Sequence, residues 1–237
     1  MNQIIAMHGW CSDSSYWNNW HNHFKSKGWL WRNAERGYGH IETYEPSWQE
    51  SSLYGHSSKK ILFCHSLGLH LISRQVLEKA SEIVLLNSFS RFIPNSKERR
   101  AVLTALNGMQ KHIGKDTEKI MLSKFFQKAT SPYNKPLLFH DLLKGGISVT
   151  GRKQLKEDLD LLINTNKLPD GLNKHAKVLV INSEKDEILC TTTSTSLIDD
   201  LNQHLLTPSV NWKIKNEGHF IRLKILIEKV NNWLISG

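Results

Sequence analysis

The apolar positions of this chain form short uninterrupted runs that alternate with longer segments of helical periodicity. Short apolar runs bounded by polar or small residues predict buried strands, and apolar positions repeating every three to four residues predict helices. The predicted strands are 3–7, 60–64, 82–87, 178–182 and 210–213, and the predicted helices are 16–27, 67–79, 195–205 and 221–235. This alternation indicates an α/β protein with a mostly parallel sheet covered by helices on both faces.

The alternation stops between Ser90 and about Asp170, where helical patterns occur without a convincing strand. We therefore divide the chain into an α/β core, residues 1–90 and 171–237, and an inserted helical segment, residues 91–170, here called the predicted lid. A chain of 237 residues is long enough for one sizeable domain of this kind.

Ser66 stands where one apolar run ends and a helical pattern begins, in the stretch Ile61-Leu62-Phe63-Cys64-His65-Ser66-Leu67-Gly68-Leu69-His70. This layout is typical of a nucleophile elbow, a strained strand-to-helix turn that lifts a serine hydroxyl out of the sheet. The usual pattern is Gly-x-Ser-x-Gly; Gly68 supplies the second glycine, and Cys64 replaces the first. On this motif alone, an ordinary serine among small residues remains an equal alternative.

A serine nucleophile needs a histidine base and an acid that orients it, and strand-end elbows of this kind place them in the order serine, acid, histidine. Asp186 lies in a polar loop directly after the strand 178–182, and His219 follows the strand 210–213 with Gly218 beside it. All three candidates therefore follow strands, at the edge where open parallel sheets place their sites. His65, adjacent to the serine, is discounted as the base because neighbouring side chains diverge at an elbow.

The loop after the first strand offers a fourth component. An acyl-transfer site needs two backbone N–H groups that point at the developing oxyanion. Leu67 follows the candidate nucleophile and supplies one such group, and Trp10 in His8-Gly9-Trp10 supplies the other. On its own, that tripeptide is more typical of a plain turn with a buried aromatic residue; beside the elbow, the oxyanion role is favoured.

With these residues, the chain resembles the α/β-hydrolase superfamily, and within it the pimeloyl-[acyl-carrier-protein] methyl ester esterases of biotin synthesis. The resemblance extends over most of the chain, although residues 91–170 match only in general character. It includes the elbow, the acid loop and the histidine loop. It also includes the opening His8-Gly9-Trp10, the aromatic pair Tyr16-Trp17, and the turn Glu35-Arg36-Gly37-Tyr38-Gly39-His40, in which arginine replaces the usual proline.

The resemblance implies an α/β-hydrolase fold with a helical lid over a serine esterase site. It implies Ser66 as nucleophile, His219 as base and Asp186 as the orienting acid, with Trp10 and Leu67 at the oxyanion. The implied substrate is the methyl ester of pimeloyl-acyl carrier protein, and the implied product is the free pimeloyl thioester. Neither a metal nor a cofactor is expected.

Positive charge is concentrated in the predicted lid. The chain carries 31 Lys and Arg against 22 Asp and Glu, and residues 91–156 alone hold 14 basic and 4 acidic residues. A basic lid can attract an anionic substrate, and an acidic acyl carrier protein fits the resemblance, although a solvated basic face is an equal alternative. Its candidate docking residues, chosen for clustered charge, are Arg99, Arg100, Arg152 and Lys153. No nucleic-acid-binding module is recognisable.

Apolar clusters in the predicted lid include Phe125 and Phe126, followed by Gln127. These three residues are candidates for an acyl pocket, although ordinary packing within the lid is the favoured interpretation.

The three cysteines, Cys11, Cys64 and Cys190, are odd in number and lack metal-ligand spacing. They favour a reducing compartment over a disulfide framework. No apolar stretch of about 18 residues predicts a membrane span, and no signal peptide is apparent at the N-terminus. We therefore expect a cytoplasmic protein without membrane contact.

Two other functions remain open. One is a general carboxylesterase or thioesterase of the same superfamily. The other belongs to a different class: a catalytically inactive hydrolase-fold protein that binds an acidic partner through its basic lid.

Overall fold

The computed structural model describes residues 1–50, 58–133 and 145–236. Its strands form one six-stranded sheet in the order β2-β1-β3-β4-β5-β6, and each neighbouring pair is parallel. The strands are β1 Gln3–Met7, β2 Leu30–Asn33, β3 Lys60–His65, β4 Glu82–Leu86, β5 Lys177–Ser183 and β6 Val210–Ile214. The predicted parallel sheet is confirmed, and five of these strands lie where the apolar runs placed them.

The helices α1–α8 lie between and after these strands. A 3-10 turn at Ser14–Trp17 precedes them, and they are α1 Asn18–Ser26, α2 Gly68–Leu71, α3 Arg74–Lys79, α4 Arg99–His112, α5 Glu118–Thr130, α6 Val149–Asn164, α7 Thr191–His204 and α8 Ile225–Ile235.

One predicted helix is interrupted. The segment 67–79 consists of α2 and α3, separated by Ile72 and Ser73 with extended backbone. Serine is a favoured helix-initiating residue, and Ser73 takes the N-cap position of α3. The last helix begins at Ile225 rather than near Ile221.

The sheet buries both of its faces because side chains alternate along each strand. On one face, Ile4 and Phe63 pack in an aromatic-rich cluster with α1 and α8; on the other, Ile5 and Leu62 pack with α3 and α7. Continuous burial of β1, β3, β4 and most of β5 explains why these strands read as uninterrupted apolar runs. Because all neighbouring strands are parallel, the carboxyl ends of all six strands lie at the same edge of the sheet.

Between β4 and β5, residues 91–170 contain the helices α4, α5 and α6, and no named strand occurs in the part of this segment that is described. Helix α4 contacts both α5 and α6. The boundaries and covering role of the predicted lid remain predictions. None of the helices in the described ranges is long and apolar enough to cross a membrane.

Candidate active site

Ser66 occupies the turn between β3 and α2 in a left-handed backbone conformation, with φ of 53°. This conformation is strained for a residue with a Cβ atom. The turn is held at both peptide groups: the Ser66 N–H donates to the Leu86 carbonyl at 3.0 Å, and its carbonyl accepts from Ser88 Oγ at 2.8 Å. The local geometry is therefore that of an elbow.

Two glycines allow the chain to pack tightly around this turn. A Cβ atom on Gly9 would lie 2.9 Å from the Cβ of Ser66, and a Cβ atom on Gly68 would lie 2.5 Å from the Met7 carbonyl oxygen. Side chains at these positions would separate the loop after β1 from the elbow. Both glycines are consequently required by close approach.

Cys64, which replaces the first glycine of the usual pattern, lies within regular strand β3. Its side chain is completely buried with Leu62 and Leu85 in the cluster on the α3 side of the sheet. Burial raises the pKa of the thiol far above its ordinary value. The departure from the motif therefore leaves the strand pairing intact and adds a buried neutral side chain.

The two predicted oxyanion donors are the backbone N–H groups of Trp10, in the loop after β1, and of Leu67, directly after Ser66. Neither has a protein acceptor among the hydrogen bonds of the described residues. The Trp10 side chain is buried, and its Nε1 donates to the Leu155 carbonyl at 3.0 Å. Two unpaired N–H groups flanking a strained serine are the arrangement that an oxyanion site requires.

The loop carrying Trp10 is anchored by a buried pair, His8 and Glu35. The His8 ring lies 2.9 Å from the Gly9 carbonyl through Nδ1 and 3.0 Å from Glu35 Oε1 through Nε2. Glu35 also accepts from the backbone N–H groups of Gly37 and Ser14, at 3.0 and 2.8 Å. Burial raises the Glu35 pKa, but these hydrogen bonds outweigh it, so the pKa lies below its ordinary value.

Asp186 and His219 form a direct pair. The His219 Nδ1–H donates to Asp186 Oδ2 at 2.8 Å, and both side chains are almost fully buried. The second carboxylate oxygen accepts from the backbone N–H groups of Ile188 and Leu189, at 2.7 and 2.9 Å. Glu184, on the same loop, is exposed. Asp186 is therefore the residue placed to orient the histidine.

Ser66, Asp186 and His219 line one cavity of about 800 Å³. Within the described part of the chain no hydrogen bond joins Ser66 Oγ to His219 Nε2. Catalytic hydrogen bonds often close only when substrate binds, so the shared cavity is the relevant observation. In residues 1–50, 58–133 and 145–236, no group of three His, Cys, Asp or Glu side chains is arranged to hold a metal ion.

His65 has a different environment from the one that a base requires. It is completely buried, its ring stacks on Tyr16 with centroids 4.5 Å apart, and its Nε2–H donates to the His219 carbonyl at 2.9 Å. Burial holds its pKa well below the ordinary value. The side chain supports the backbone of His219 and has no free proton-accepting position at Nε2.

Asn87 is a site component that the sequence analysis did not assign. It follows β4 with a positive φ of 43° and is buried. Its Nδ2 group donates to Ser183 Oγ and to the carbonyls of Gly218 and His219 at 2.8–3.0 Å, while its Oδ1 accepts from the Ser183 N–H at 2.7 Å. The signal that could have identified Asn87 is its position: it directly follows an apolar strand, and asparagine tolerates a left-handed backbone conformation.

The histidine loop also packs against the end of α5. A Cβ atom on Gly218 would lie 1.6 Å from the Ser131 carbonyl oxygen, and the Phe220 N–H donates to the Ala129 carbonyl at 3.0 Å. Gly218 thus permits direct contact between the histidine loop and the end of α5.

Of the three predicted acyl-pocket residues, only Phe125 lines the cavity, with its ring edge-on to Trp10 at 4.9 Å. Phe126 is buried in the core cluster, and Gln127 is exposed. Successive helical residues differ by about 100° in direction, so Phe125 faces the cavity while Phe126 faces the core.

The four predicted docking residues differ in their surroundings. Arg99 and Arg100 are exposed, with no ion pair among the described residues. Arg152 instead makes a bidentate pair with Glu118, at 2.7 and 2.8 Å, and Lys153 lies 3.7 Å from a carboxylate of the next helical turn. Arg152 and Lys153 therefore each have an acidic partner, which the clustered charge in the sequence did not reveal, and docking of a carrier at either pair stays a prediction.

No protein-family model and no curated protein sequence matches the chain. Solved structures do match over nearly its whole length. An esterase from Exiguobacterium antarcticum is 16% identical, with a TM-score of 0.70 over 100% of this chain and 91% of that one. A thermophilic esterase from Thermogutta terrifontis is 13% identical (TM-score 0.68; 100% and 90%). An enol-lactonase from Burkholderia xenovorans is 14% identical (TM-score 0.66; 99% and 91%). The chain therefore has the α/β-hydrolase fold.

Proposed function

We propose that this protein is a serine carboxylesterase. The observation that carries the proposal is one cavity lined by a strained serine, by Trp10 and by a buried aspartate–histidine pair. The unpaired N–H of Leu67 lies directly after the serine. These groups follow the ends of β1, β3, β5 and β6, and together they could provide nucleophile, oxyanion donors and base. The esterases and the lactonase with the same fold add support at the level of reaction class.

In the proposed reaction, Ser66 Oγ attacks the ester carbonyl carbon while His219 Nε2 takes the hydroxyl proton. The oxyanion accepts hydrogen bonds from the Trp10 and Leu67 N–H groups. When the C–O bond breaks, His219 returns the proton to the leaving alcohol, and Ser66 remains acylated. Water then attacks the acyl group with His219 again as base, and Ser66 regains its proton as the acid leaves. Asp186 stays ionised and orients the imidazole throughout.

A fluorophosphonate probe and short p-nitrophenyl esters test this reaction directly. The protein should be labelled and should hydrolyse the esters, and both signals should vanish in Ser66→Ala. Ser123→Ala, on the exposed side of α5, is the matched control and should behave like the unaltered protein. A folded protein that neither reacts with the probe nor cleaves any ester would instead support the rival role, an inactive partner-binding protein.

For the physiological substrate we propose the methyl ester of pimeloyl-acyl carrier protein, with acyl carrier protein as partner. The support is the sequence resemblance described above, the concentration of positive charge in residues 91–156, and the exposed pair Arg99 and Arg100. Exposed charges act at long range and are screened beyond about 8 Å at physiological ionic strength. Added salt should therefore lower kcat/KM for the carrier-bound ester and leave a small neutral ester nearly unaffected.

A charge-matched pair of variants sharpens this test. Changing both Arg99 and Arg100 to Gln should weaken turnover of the carrier-bound ester alone. Changing Lys25 and Lys27, exposed on the core, to Gln removes the same charge elsewhere and should have little effect. Equal effects of salt and of both variants on the two substrates would contradict carrier docking and favour a general carboxylesterase or thioesterase. Rescue of a biotin auxotroph that lacks its own esterase would test the pathway assignment.

A further inference from the structure

The cavity at Ser66 continues far beyond the reacting atoms, between α4 and α5. These two helices, here called the hairpin, follow each other along the chain, and a hydrogen bond between His112 Nδ1 and Thr117 Oγ1, at 2.7 Å, joins the end of α4 to the start of α5 at its tip. The lining positions on α4 run from Ala101 to His112, and those on α5 run from Thr117 to Lys128. At 1.5 Å per helical residue, each row is about 16 Å long.

The near end of this groove is the reaction centre. Phe125, toward the end of α5, contacts Trp10, and Ala129, one residue beyond the lining row, accepts a hydrogen bond from the N–H of Phe220 in the histidine loop. The far end is the hairpin tip at His112. The groove therefore leads from the nucleophile along the full length of the hairpin.

The walls of the groove are mainly apolar, and part of that apolar surface has no protein cover. Val102 and Met109 on α4 are only partly buried, and Ile120 on α5 is 58% exposed. Lys124 and Lys128 contribute the charged part of the α5 wall. A partly uncovered apolar wall that is continuous with a reactive serine fits an apolar occupant.

Gly108 leaves open space at the middle of the α4 wall. A Cβ atom built on Gly108 meets no atom within 4 Å. Glycine in the middle of a helix is destabilising relative to alanine, so packing and helix formation give no reason for it here. Its position in the wall keeps the groove wide at a point about two and a half turns from the helix start.

We propose that this groove selects esters bearing an extended apolar chain of up to about a dozen carbons, with Gly108 as a specificity-determining residue. The length follows from geometry: with C–C bonds of about 1.5 Å and angles near 111°, an extended chain advances about 1.25 Å per carbon, so roughly a dozen carbons fill about 16 Å. The inference rests on the proposed esterase reaction for its substrate class. The chain belongs either to the acyl group or to the alcohol of the ester.

Two ester series distinguish these sources: methyl alkanoates vary the acyl chain, and alkyl acetates vary the alcohol. One series should show kcat/KM rising about fourfold per added methylene up to roughly ten carbons, because each buried methylene adds favourable transfer free energy. The other series should respond weakly. Flat profiles in both series would overturn the proposal while leaving the esterase reaction in place.

Gly108→Phe should obstruct the groove without a clash against protein atoms. We expect it to lower kcat/KM for the decanoyl or decyl ester more than tenfold and to change the butyryl or butyl ester less than twofold. Asn107→Phe, the adjacent exposed residue that does not line the cavity, is the matched control and should leave the profile unchanged. Equal losses at every chain length, or an unchanged profile in Gly108→Phe, would refute the role of Gly108.

Two additions keep the test decisive. If Gly108→Phe does not fold, Ala105→Leu, on the same wall, replaces it with the same expectation. If no ester is hydrolysed, calorimetric titration with decanoate and butyrate tests the groove independently of catalysis. Decanoate should then bind the unaltered protein more tightly than butyrate, and Gly108→Phe should abolish that preference. Failure of decanoate to bind would overturn the groove proposal, whereas loss of ester hydrolysis alone would count against the proposed function.

Discussion

Replacing Asn87 with alanine tests whether one buried amide holds two parts of the site together. The change removes four side-chain hydrogen bonds and leaves the Ser183 N–H and the Gly218 carbonyl without their Asn87 partner, whereas the His219 carbonyl keeps the bond from His65. Each buried polar group left unpaired costs about 1–3 kcal/mol. Alanine at a φ of 43° adds roughly 1 kcal/mol of strain.

We therefore expect Asn87→Ala to lose roughly 4 kcal/mol of unfolding free energy, a large part of the 5–15 kcal/mol typical of a domain. Asn87→Gly separates the two causes, because glycine tolerates the positive φ but makes none of the hydrogen bonds. It should be about 1 kcal/mol more stable than Asn87→Ala. Urea denaturation of both variants measures these differences.

Positioning predicts a catalytic effect beyond the loss of stability. Without the amide, the peptide of His219 loses one of its anchors, and misplacement of a catalytic group by about 1 Å can cost roughly 100-fold in rate. Under conditions where Asn87→Gly is fully folded, kcat should fall at least tenfold while KM changes little, and the rate of fluorophosphonate labelling should fall in parallel.

A comparable asparagine far from the site provides the control. Asn173 donates to the Ala80 carbonyl at 2.9 Å and accepts from the His175 N–H at 3.0 Å. Asn173→Ala should lower stability by about 1 kcal/mol and leave kcat unchanged. If Asn87→Gly kept the stability and kcat of the unaltered protein, the assignment of Asn87 as a positioning residue would be wrong.

Four further predictions concern individual site residues. Ser66→Ala should lower kcat by about 10⁶-fold with an unchanged circular dichroism spectrum; a variant with more than a few per cent activity would exclude Ser66 as nucleophile. Asp186→Asn should lower kcat by about 10⁴-fold, whereas the exposed Glu184→Gln should change it less than twofold, and the reverse order would refute the acid assignment. Cys64→Gly should keep activity and lose about 1–2 kcal/mol of stability in urea; complete inactivity of the folded variant would reveal a role for the thiol. The pKa of Glu35 is lower in the folded protein than its ordinary value of 4.5. The ionised carboxylate therefore stabilises the fold at pH values above 4.5, and this stabilisation is lost as the pH falls below 4.5. The stability difference between the unaltered protein and Glu35→Gln should therefore shrink between about pH 6 and about pH 3, and a constant difference would contradict this.

The central strands could be predicted from the sequence because both faces of the sheet are covered. Burial on both faces makes every position of β3 and β4 apolar or small, apart from their ends, and such runs are easily recognised. Edge strand β2 was missed because its apolar run is short: Leu30-Trp31 is followed by Arg32-Asn33, and only Trp31 is buried. Edge position alone does not hide a strand, because β6, at the other edge and without a buried residue, was predicted.

The parts of the candidate site that could be predicted are the residues in loops directly after strands. Ser66, Asp186 and His219 each directly follow a strand, so their order and strand-end position predict a common edge. The amide network of Asn87 joins segments that are 96 to 132 residues apart, and the Arg152–Glu118 pair joins two helices. Such contacts between distant segments depend on packing, which local patterns in the sequence do not encode.

The distribution of backbone strain bears on the choice between an esterase and an inactive binding protein. In the described residues, four non-glycine residues have positive φ: Cys11, Ser66, Asn87 and Asn216. They follow β1, β3, β4 and β6, and each lies in or next to a loop that carries the candidate oxyanion donor Trp10, the candidate nucleophile, the Asn87 amide or the candidate base His219. Strain of this kind costs of order 1–3 kcal/mol per residue and persists where the surrounding structure enforces it, characteristically at functional sites. Binding of an acidic partner through exposed lid arginines would require none of these four conformations, so their position after strand ends, in or next to the loops of the candidate site, favours the esterase.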